Sequence, residues 1–201
     1  MMLGRRLARL ATNVVVRRPR LWPIFRPVIR RQFNQIAPVW DAMRLEDTFA
    51  PYEGALERIP GPVARALDVG TGTGQGARLL AKRFPDAEVT GVDVASAMLE
   101  EARRLAPELT FVEGDAARLP FDDESFDLVA NANMIPFLDE VARVLKPGGQ
   151  TLYAFSAGPE TPIWVEPEML RRELERRGFT DFAEIAAGRG VAILARKAIR
   201  D

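Results

Sequence analysis

From Val63 onward the apolar positions fall into short dense runs separated by amphipathic stretches. Val63, Ala64, Ala66, Leu67 and Val69 are close enough together for a strand buried on both faces. Gly76, Ala77, Leu79, Leu80 and Ala81 follow at helical spacing. Continued along the chain, the pattern predicts strands at 63–69, 88–93, 109–113, 126–131, 150–155, 180–187 and 190–196. It predicts helices at 75–84, 96–105, 137–145 and 167–177, with Ser96 as a capping residue. Gly188-Arg189-Gly190 reads as the turn of a closing hairpin. This alternation predicts a parallel α/β sheet covered on both faces, with an antiparallel edge. We place that domain at 63–201 and a basic arm with a helical lid at 1–62.

Within 1–62 the pattern changes. Pro19, Pro23, Pro27 and Pro38 rule out one long helix. Residues 41–60 read as helical, with Met43, Phe49, Tyr52, Leu56 and Ile59 apolar, and Pro60-Gly61-Pro62 ends them. Charge is as uneven as hydropathy. Residues 1–40 hold nine arginines and no acid, so nineteen basic residues face all twenty-eight acids in the remainder, a formal −9. A basic arm on an acidic body suits three situations: a solvated tail, an anionic membrane, or nucleic acid. Leu21, Trp22, Ile24, Phe25 and Val28 among the arginines favour the membrane or another apolar surface over phosphate alone. No apolar run is long enough to span a bilayer, and Leu10–Val16 is too broken for a secretory signal. An arginine-rich, acid-free start also resembles a transit peptide, but arginine outnumbers lysine 25 to 3 throughout. The expected location is cytoplasmic, peripheral on a membrane. Arg171-Arg172 and Arg176-Arg177 alternate with Glu173 and Glu175 as a solvated helix face.

The chain has no cysteine and no histidine. That removes disulfides, thiolate metal sites, imidazole bases and Ser-His triads, and no metal is expected. The remaining chemistry belongs to carboxylates, amides, hydroxyls and backbone.

Those groups collect at strand ends. The first strand runs into Asp68-Val69-Gly70-Thr71-Gly72-Thr73-Gly74, where glycines allow a tight turn and close approach of a ligand. The second ends in Asp93, placed to accept from both hydroxyls of a ribose. The third leads into Gly114-Asp115-Ala116, where Asp115 can accept from an exocyclic adenine amine. Gly72-x-Gly74-x-x-Ala77 also fits the dinucleotide fingerprint, so the turn alone leaves two cofactors open.

With these motifs in order, residues 65–197 resemble the class I S-adenosylmethionine-dependent methyltransferases. Leu67–Gly74 matches that family's first motif, Val92-Asp93 its ribose acid, and Gly114-Asp115-Ala116 its adenine contact. Phe126-Asp127-Leu128-Val129 and Arg143–Gly149 match its fourth strand and following turn. Phe33–Asp41 resembles the opening segment of the ubiquinone/menaquinone-biosynthesis-type branch, which usually has Tyr where Trp40 stands. The resemblance implies a Rossmann-like three-layer sandwich with a seven-stranded, mostly parallel sheet of order 3-2-1-4-5-7-6. In that order strand 7 is antiparallel. It implies S-adenosylmethionine held by Asp68, Gly70, Thr71, Gly72, Gly74, Asp93, Val94, Met98, Asp115, Ala116 and Asn131. Asp68 would lie at the cofactor's amino-acid end, or else would brace the turn.

Methyl transfer from a sulfonium needs chiefly a well-placed acceptor, and a base only for a hydroxyl or acidic carbon. The candidates for a base are Asp41, Glu46 and Asp139. The stretch from Asn131 to Lys146 is short against many relatives, so we expect residues 33–56 to complete the acceptor wall. Trp40, Met43, Phe49 and Tyr52 would line it with Asn133, Met134 and Phe137. The expected acceptor is a small or lipophilic metabolite. A nicotinamide-dependent oxidoreductase and a non-catalytic S-adenosylmethionine-binding module are the rival readings.

Overall fold

The structure, a computed structural model, describes residues 2–199, with side chains from Ala8 onward. Arg5 and Arg6, two of the nine arm arginines, therefore lie outside the described side chains. Seven strands form one sheet: β1 Arg65–Val69, β2 Glu88–Asp93, β3 Thr110–Glu113, β4 Phe126–Ala132, β5 Leu145–Phe155, β6 Phe179–Ala187 and β7 Gly190–Lys197. Their order is β3-β2-β1-β4-β5-β7-β6, as the resemblance implied. β1 to β5 pair in parallel, and β7 runs antiparallel between β5 and β6. Helices α3 Ala50–Arg58, α4 Gln75–Arg83, α5 Ser96–Leu105, α6 Leu138–Val144 and α7 Pro167–Glu175 complete the domain.

Alternation within the strands divides the core. Ala66, Leu128, Ala130 and Leu152 pack beneath α3, α4 and α5 with Tyr52, Leu56, Leu80 and Leu99. Leu67, Val69, Val129 and Tyr153 face the other way, toward α6 and α7. Period-two alternation lets each central strand serve both layers.

Lys146–Gly149 is not a free turn before the fifth strand. Leu145 pairs with Phe126 and Gln150 with Leu128, so these four residues bulge out of a continuous β5. Lys146 Nζ bonds Asp127 at 2.7 Å, and Asp127 also accepts from the Ala64 and Arg65 amides. The family's fourth-strand signature thus clamps the amino end of the parallel sheet, opposite the glycine turn.

The arm is folded. Helices α1 Met2–Arg17 and α2 Trp22–Ile36 are separated at Arg18-Pro19, and short 3₁₀ turns carry the chain from Ala37 to Phe49. Pro23 sits in the first turn of α2, where no amide is needed, and Pro27 is held inside the helix with its ring exposed. The helix expected across 41–60 begins only at Ala50. Ala11, Val15 and Trp22 are buried against Ile135 and Phe137, so of the three readings of the arm the solvated tail does not hold for the described residues. Trp22 and Phe25 pack inward too, so neither is a surface anchor. The driving force is burial of these apolar side chains, on the order of 1.5–3 kcal/mol for each large one.

Candidate functional site

The glycine turn is built by backbone and one carboxylate. The Gly70 and Thr71 amides donate to Val92 O at 2.8 and 3.0 Å, and Gly74 N to Thr71 O at 2.9 Å. Gly70, Gly72 and Gly74 all have positive φ, at 69°, 53° and 81°. A Cβ on Gly70 would stand 2.5 Å from Met134 Sδ, so bare backbone there is what admits Met134.

Asp68 is buried beneath this turn at 2% exposure. It accepts from Thr71 Oγ1 at 2.6 Å and from the Tyr52 hydroxyl at 3.4 Å. The Ala77 amide, in the first turn of α4, also favours its charged form. Burial outweighs these bonds and pushes its carboxyl up to about 7. Tyr52, expected in the acceptor wall, is instead fully buried, with its hydroxyl on Asp68 and Gly76 O. Its phenol is pushed well above the usual range, by burial first and by Asp68 second.

Asp93 lies at the end of β2 and spans two loops. Its Oδ2 accepts from Gly72 N and its Oδ1 from Ala95 N, both at 2.9 Å. Each carboxylate oxygen has a second lone pair for a ligand hydroxyl. Burial raises its pKa against these backbone bonds. Val94 follows it with a backbone amide that also favours the charged carboxylate. Ser96 does not cap α5: it is the first helical residue, and Asn34 of α2 takes over by accepting from Ala97 N at 3.0 Å. Met98 is buried against Ala37 and Ala95 with Phe33, Ile36 and Trp40 packed around them, so it anchors the arm.

Asp115 is held from the arm. Trp22 Nε1 donates to its Oδ1 at 2.7 Å, Ala117 N donates to the same oxygen at 2.9 Å, and Arg26 bonds Oδ2 at 2.8 Å. One step along α2, Arg30 pairs with Glu113 at 2.7 Å. Trp22, Arg26, Arg30 and Asn34 thus form a ladder of contacts to the end of β3, the loop after it and the start of α5, and the sequence reading missed it. Their four-residue spacing puts all four on one helix face and was the available signal. The prolines at 23 and 27 concealed it by arguing against a helix. Ala116 is half-buried beside this ladder, with Trp22 and Phe137 in the same apolar cluster. We expect Trp22→Phe, which keeps the edge-on packing against Phe137 at 5.2 Å but removes the donor, to lower stability by about 1–2 kcal/mol. Urea unfolding measures it; an unchanged midpoint would mean that Asp115 finds another donor at no cost.

Over the turn itself lie residues 40–44. Trp40 Nε1 would be 3.5 Å from a Cβ on Gly72, and Trp40 packs edge-on against Phe33. Asp41 accepts from Thr73 Oγ1 at 2.5 Å, and Arg44 bonds both Asp41 and Thr73. Of the three candidate bases, Asp41 alone is tied to the glycine turn. Glu46 is exposed at the start of a 3₁₀ turn, and Asp139 is drawn into an ion pair with Arg177 at 2.7 Å. Met43 is 52% exposed and lines nothing. Phe49 packs edge-on against Tyr52 in the layer below. Asn133, at φ 51°, accepts from Ser156 N and ties β4 to β5. Phe137 is buried against Trp22. Asn131 donates to Leu152 O at 3.4 Å, and its Oδ1 is buried with no hydrogen-bond partner.

A glycine turn with an acid at the end of β2 suits either cofactor, but an acid after β3 and the antiparallel β7 select one. Residues 66–149 match the methyltransferase-domain family. Over this stretch, about two-fifths of the chain, the protein is similar to methyltransferase domains. The demethylmenaquinone methyltransferase of Thermus thermophilus is 40% identical over 137 residues, covering 59% of this chain and 61% of that protein. The fatty-acid O-methyltransferase of Mycolicibacterium smegmatis is 47% identical over 111 residues, covering 50% and 40%. The chain therefore spans less than two-thirds of the length of these two curated relatives. Among solved structures, the Haloferax volcanii complex of the Trm112 methyltransferase activator and a methyltransferase superposes with a TM-score of 0.70 at 22% identity, covering 83% and 97%, a likeness of fold.

The groups at the strand ends fit S-adenosylmethionine chemically. S-adenosylmethionine presents an ammonium, ribose hydroxyls and an adenine amine as donors, together with a sulfonium cation. The strand ends offer acceptors: Asp93, Asp115 and the unpartnered Asn131 Oδ1. Among the described residues no group of His, Cys, Asp and Glu could hold a metal ion, and no helix is long and apolar enough to cross a membrane.

Proposed function

We propose that the protein transfers a methyl group from S-adenosylmethionine to a small or lipophilic acceptor by in-line displacement. The observation that carries this reading is the run of acceptors at the ends of β2, β3 and β4 beside the glycine turn after β1, closed by arm residues bonded to Asp115 and Thr73. Bound there, the cofactor supplies an electrophilic methyl on an activated leaving group. The protein's share is positional. Asp93 would hold the ribose, Asp115 the adenine amine, and the Gly70–Gly74 backbone with Asn131 the amino-acid end. Met134 and Trp40, against the turn, would exclude water and form the floor and lid of the acceptor space, with Phe137 behind. Asp41 is the carboxylate we assign as base if the acceptor is a hydroxyl or acidic carbon.

The two relatives described above are named for demethylmenaquinone and a fatty acid, which supports a lipophilic acceptor. We therefore place the protein in the cytoplasm, peripheral on a membrane where such acceptors reside. Asp93→Ala should weaken S-adenosylmethionine binding by about 1–3 kcal/mol, roughly five- to 150-fold, through loss of the hydroxyl acceptor. Calorimetry with S-adenosylmethionine, S-adenosylhomocysteine and NAD tests it. Unchanged affinity in the variant removes the ribose assignment, and NAD binding alone removes the methyltransferase reading. Labelled-methyl transfer into fractionated cell extract then identifies the acceptor class; binding without turnover would make this a non-catalytic module.

A further inference from the structure

α2 has two faces, and only one is used by the fold. Trp22, Phe25, Arg26, Ile29, Arg30 and Phe33 turn inward or bond the domain. Ile24, Val28, Arg31 and Gln35 recur at intervals of three and four, so they share the opposite face, and all are exposed, as is Arg20 in the 3₁₀ turn just before the helix. Ile24 is 68% exposed and Val28 52%. Six of the seven large apolar side chains exposed among the described residues fall between Leu10 and Leu45, so surface hydrophobicity is concentrated in the arm. Arg17, Arg18, Arg20 and Arg31 border the stripe, all exposed, and among the described residues none has an ion-pair partner.

We propose that this outer face of α2, with the Arg17–Arg20 corner, docks on an anionic phospholipid bilayer. The inference rests on the reading that the acceptor is lipophilic and met at a membrane. Charge and side-chain type select this occupant. Aliphatic residues flanked by unpaired arginines match an interface of acyl chains and anionic headgroups. A second copy meeting the same patch by twofold symmetry would set arginine against arginine with no acid within residues 1–40 to relieve them. Single-stranded nucleic acid would need aromatic platforms, and the aromatics of α2 face inward. Docking through this face leaves the ladder from Trp22 to Asn34 toward the cofactor site, so the membrane lies on the far side of the helix that covers Asp115.

The test is co-sedimentation of the full chain with phosphatidylcholine vesicles, with and without phosphatidylglycerol, near physiological salt. We expect binding to the anionic vesicles and little to the neutral ones. Ile24→Ser with Val28→Ser should lower partitioning at least tenfold. Arg17→Gln, Arg18→Gln and Arg20→Gln together should lower it on the order of a hundredfold, about fivefold for each charge. Both variants change exposed residues only, so their melting curves and S-adenosylmethionine affinity should match those of the parent. No binding to anionic vesicles, or binding undiminished in both variants, overturns the proposal. So does a dimer that the Ile24/Val28 variant dissociates, or RNA binding without vesicle binding. Cofactor affinity without vesicle binding removes this inference alone, and vesicle binding without cofactor affinity removes the functional reading instead.

Discussion

Gly76→Ala should destabilise the protein by about 2–4 kcal/mol, although alanine is the better helix former by nearly 1 kcal/mol. Gly76 is the second residue of α4 and is buried. A Cβ there would lie 2.6 Å from both carboxylate oxygens of Asp68. Those oxygens cannot retreat. Asp68 is fixed in the central strand β1, between β2 and β4. Its side chain is enclosed by Thr71, Tyr52 and the start of α4. Relief must come from moving α4 off the sheet or from breaking the Thr71 bond. Overpacking of this kind costs about 1–3 kcal/mol, and a hydrogen bond to a charged group about 1.5–3 kcal/mol. Together they exceed the helix-propensity gain. Gly54→Ala is the internal contrast: also helical, it meets Ile185 Cγ2 at 3.3 Å, the end of an aliphatic side chain, and Ala187 Cβ at an ordinary 3.7 Å. Its effect should stay within about 1 kcal/mol. Urea midpoints at constant m-value separate the two. Equal stability of Gly76→Ala and the parent would show that the Asp68 carboxyl is free to move.

The same crowding explains what the sequence could and could not reveal. The strands were legible because each carries its own pattern, and their order followed from the family resemblance that the motifs at the ends of β1, β2 and β3 carry. The bulge at Lys146–Gly149 was not legible. Its Pro and Gly residues look like a turn, and only pairing of Leu145 with Phe126 shows the strand continuing on both sides. The arm was misjudged for a related reason. Local rules weigh Pro23 and Pro27 as helix breakers, yet Pro23 occupies a first-turn position and Pro27 an exposed face. Tertiary bonds from Trp22, Arg26, Arg30 and Asn34 hold the helix against that propensity. Tyr52 shows the opposite failure. Its aromatic ring fits an acceptor wall as well as a core by sequence, and only the position of its hydroxyl over Asp68 assigns it to the core. Residues whose role is set by a partner far along the chain carry no local mark of it.

Asp68→Asn should flatten the dependence of stability on pH between about 4 and 7. The folded carboxyl titrates at about 7 against an ordinary value of 3.8, because burial outweighs its hydrogen bonds. In that window the native state holds a proton that the unfolded chain has released. Stability therefore falls as pH rises, by up to about 1.4 kcal/mol per unit. The contribution is fully present below about pH 4 and gone above about pH 7. Asparagine keeps the shape and an acceptor for Thr71 without the titration. Other groups titrate in both proteins, including the raised Asp93 and the lowered Asp127. The informative quantity is thus the difference between variant and parent, which should move in the variant's favour from pH 4 to 7 and then level off. A flat difference would mean an Asp68 with an ordinary pKa. The same pair of proteins separates the two roles open to Asp68. If the carboxylate faces the cofactor's ammonium, binding favours its charged form. The parent should then bind S-adenosylmethionine more tightly than Asp68→Asn, and the gap should widen as pH rises through 7. If Asp68 only clasps the turn to α4, the affinity ratio stays constant with pH while stability still diverges. Its enclosure by Thr71, Tyr52 and α4 leads us to expect the second outcome, with the Gly70–Gly74 backbone and Asn131 meeting the ammonium instead.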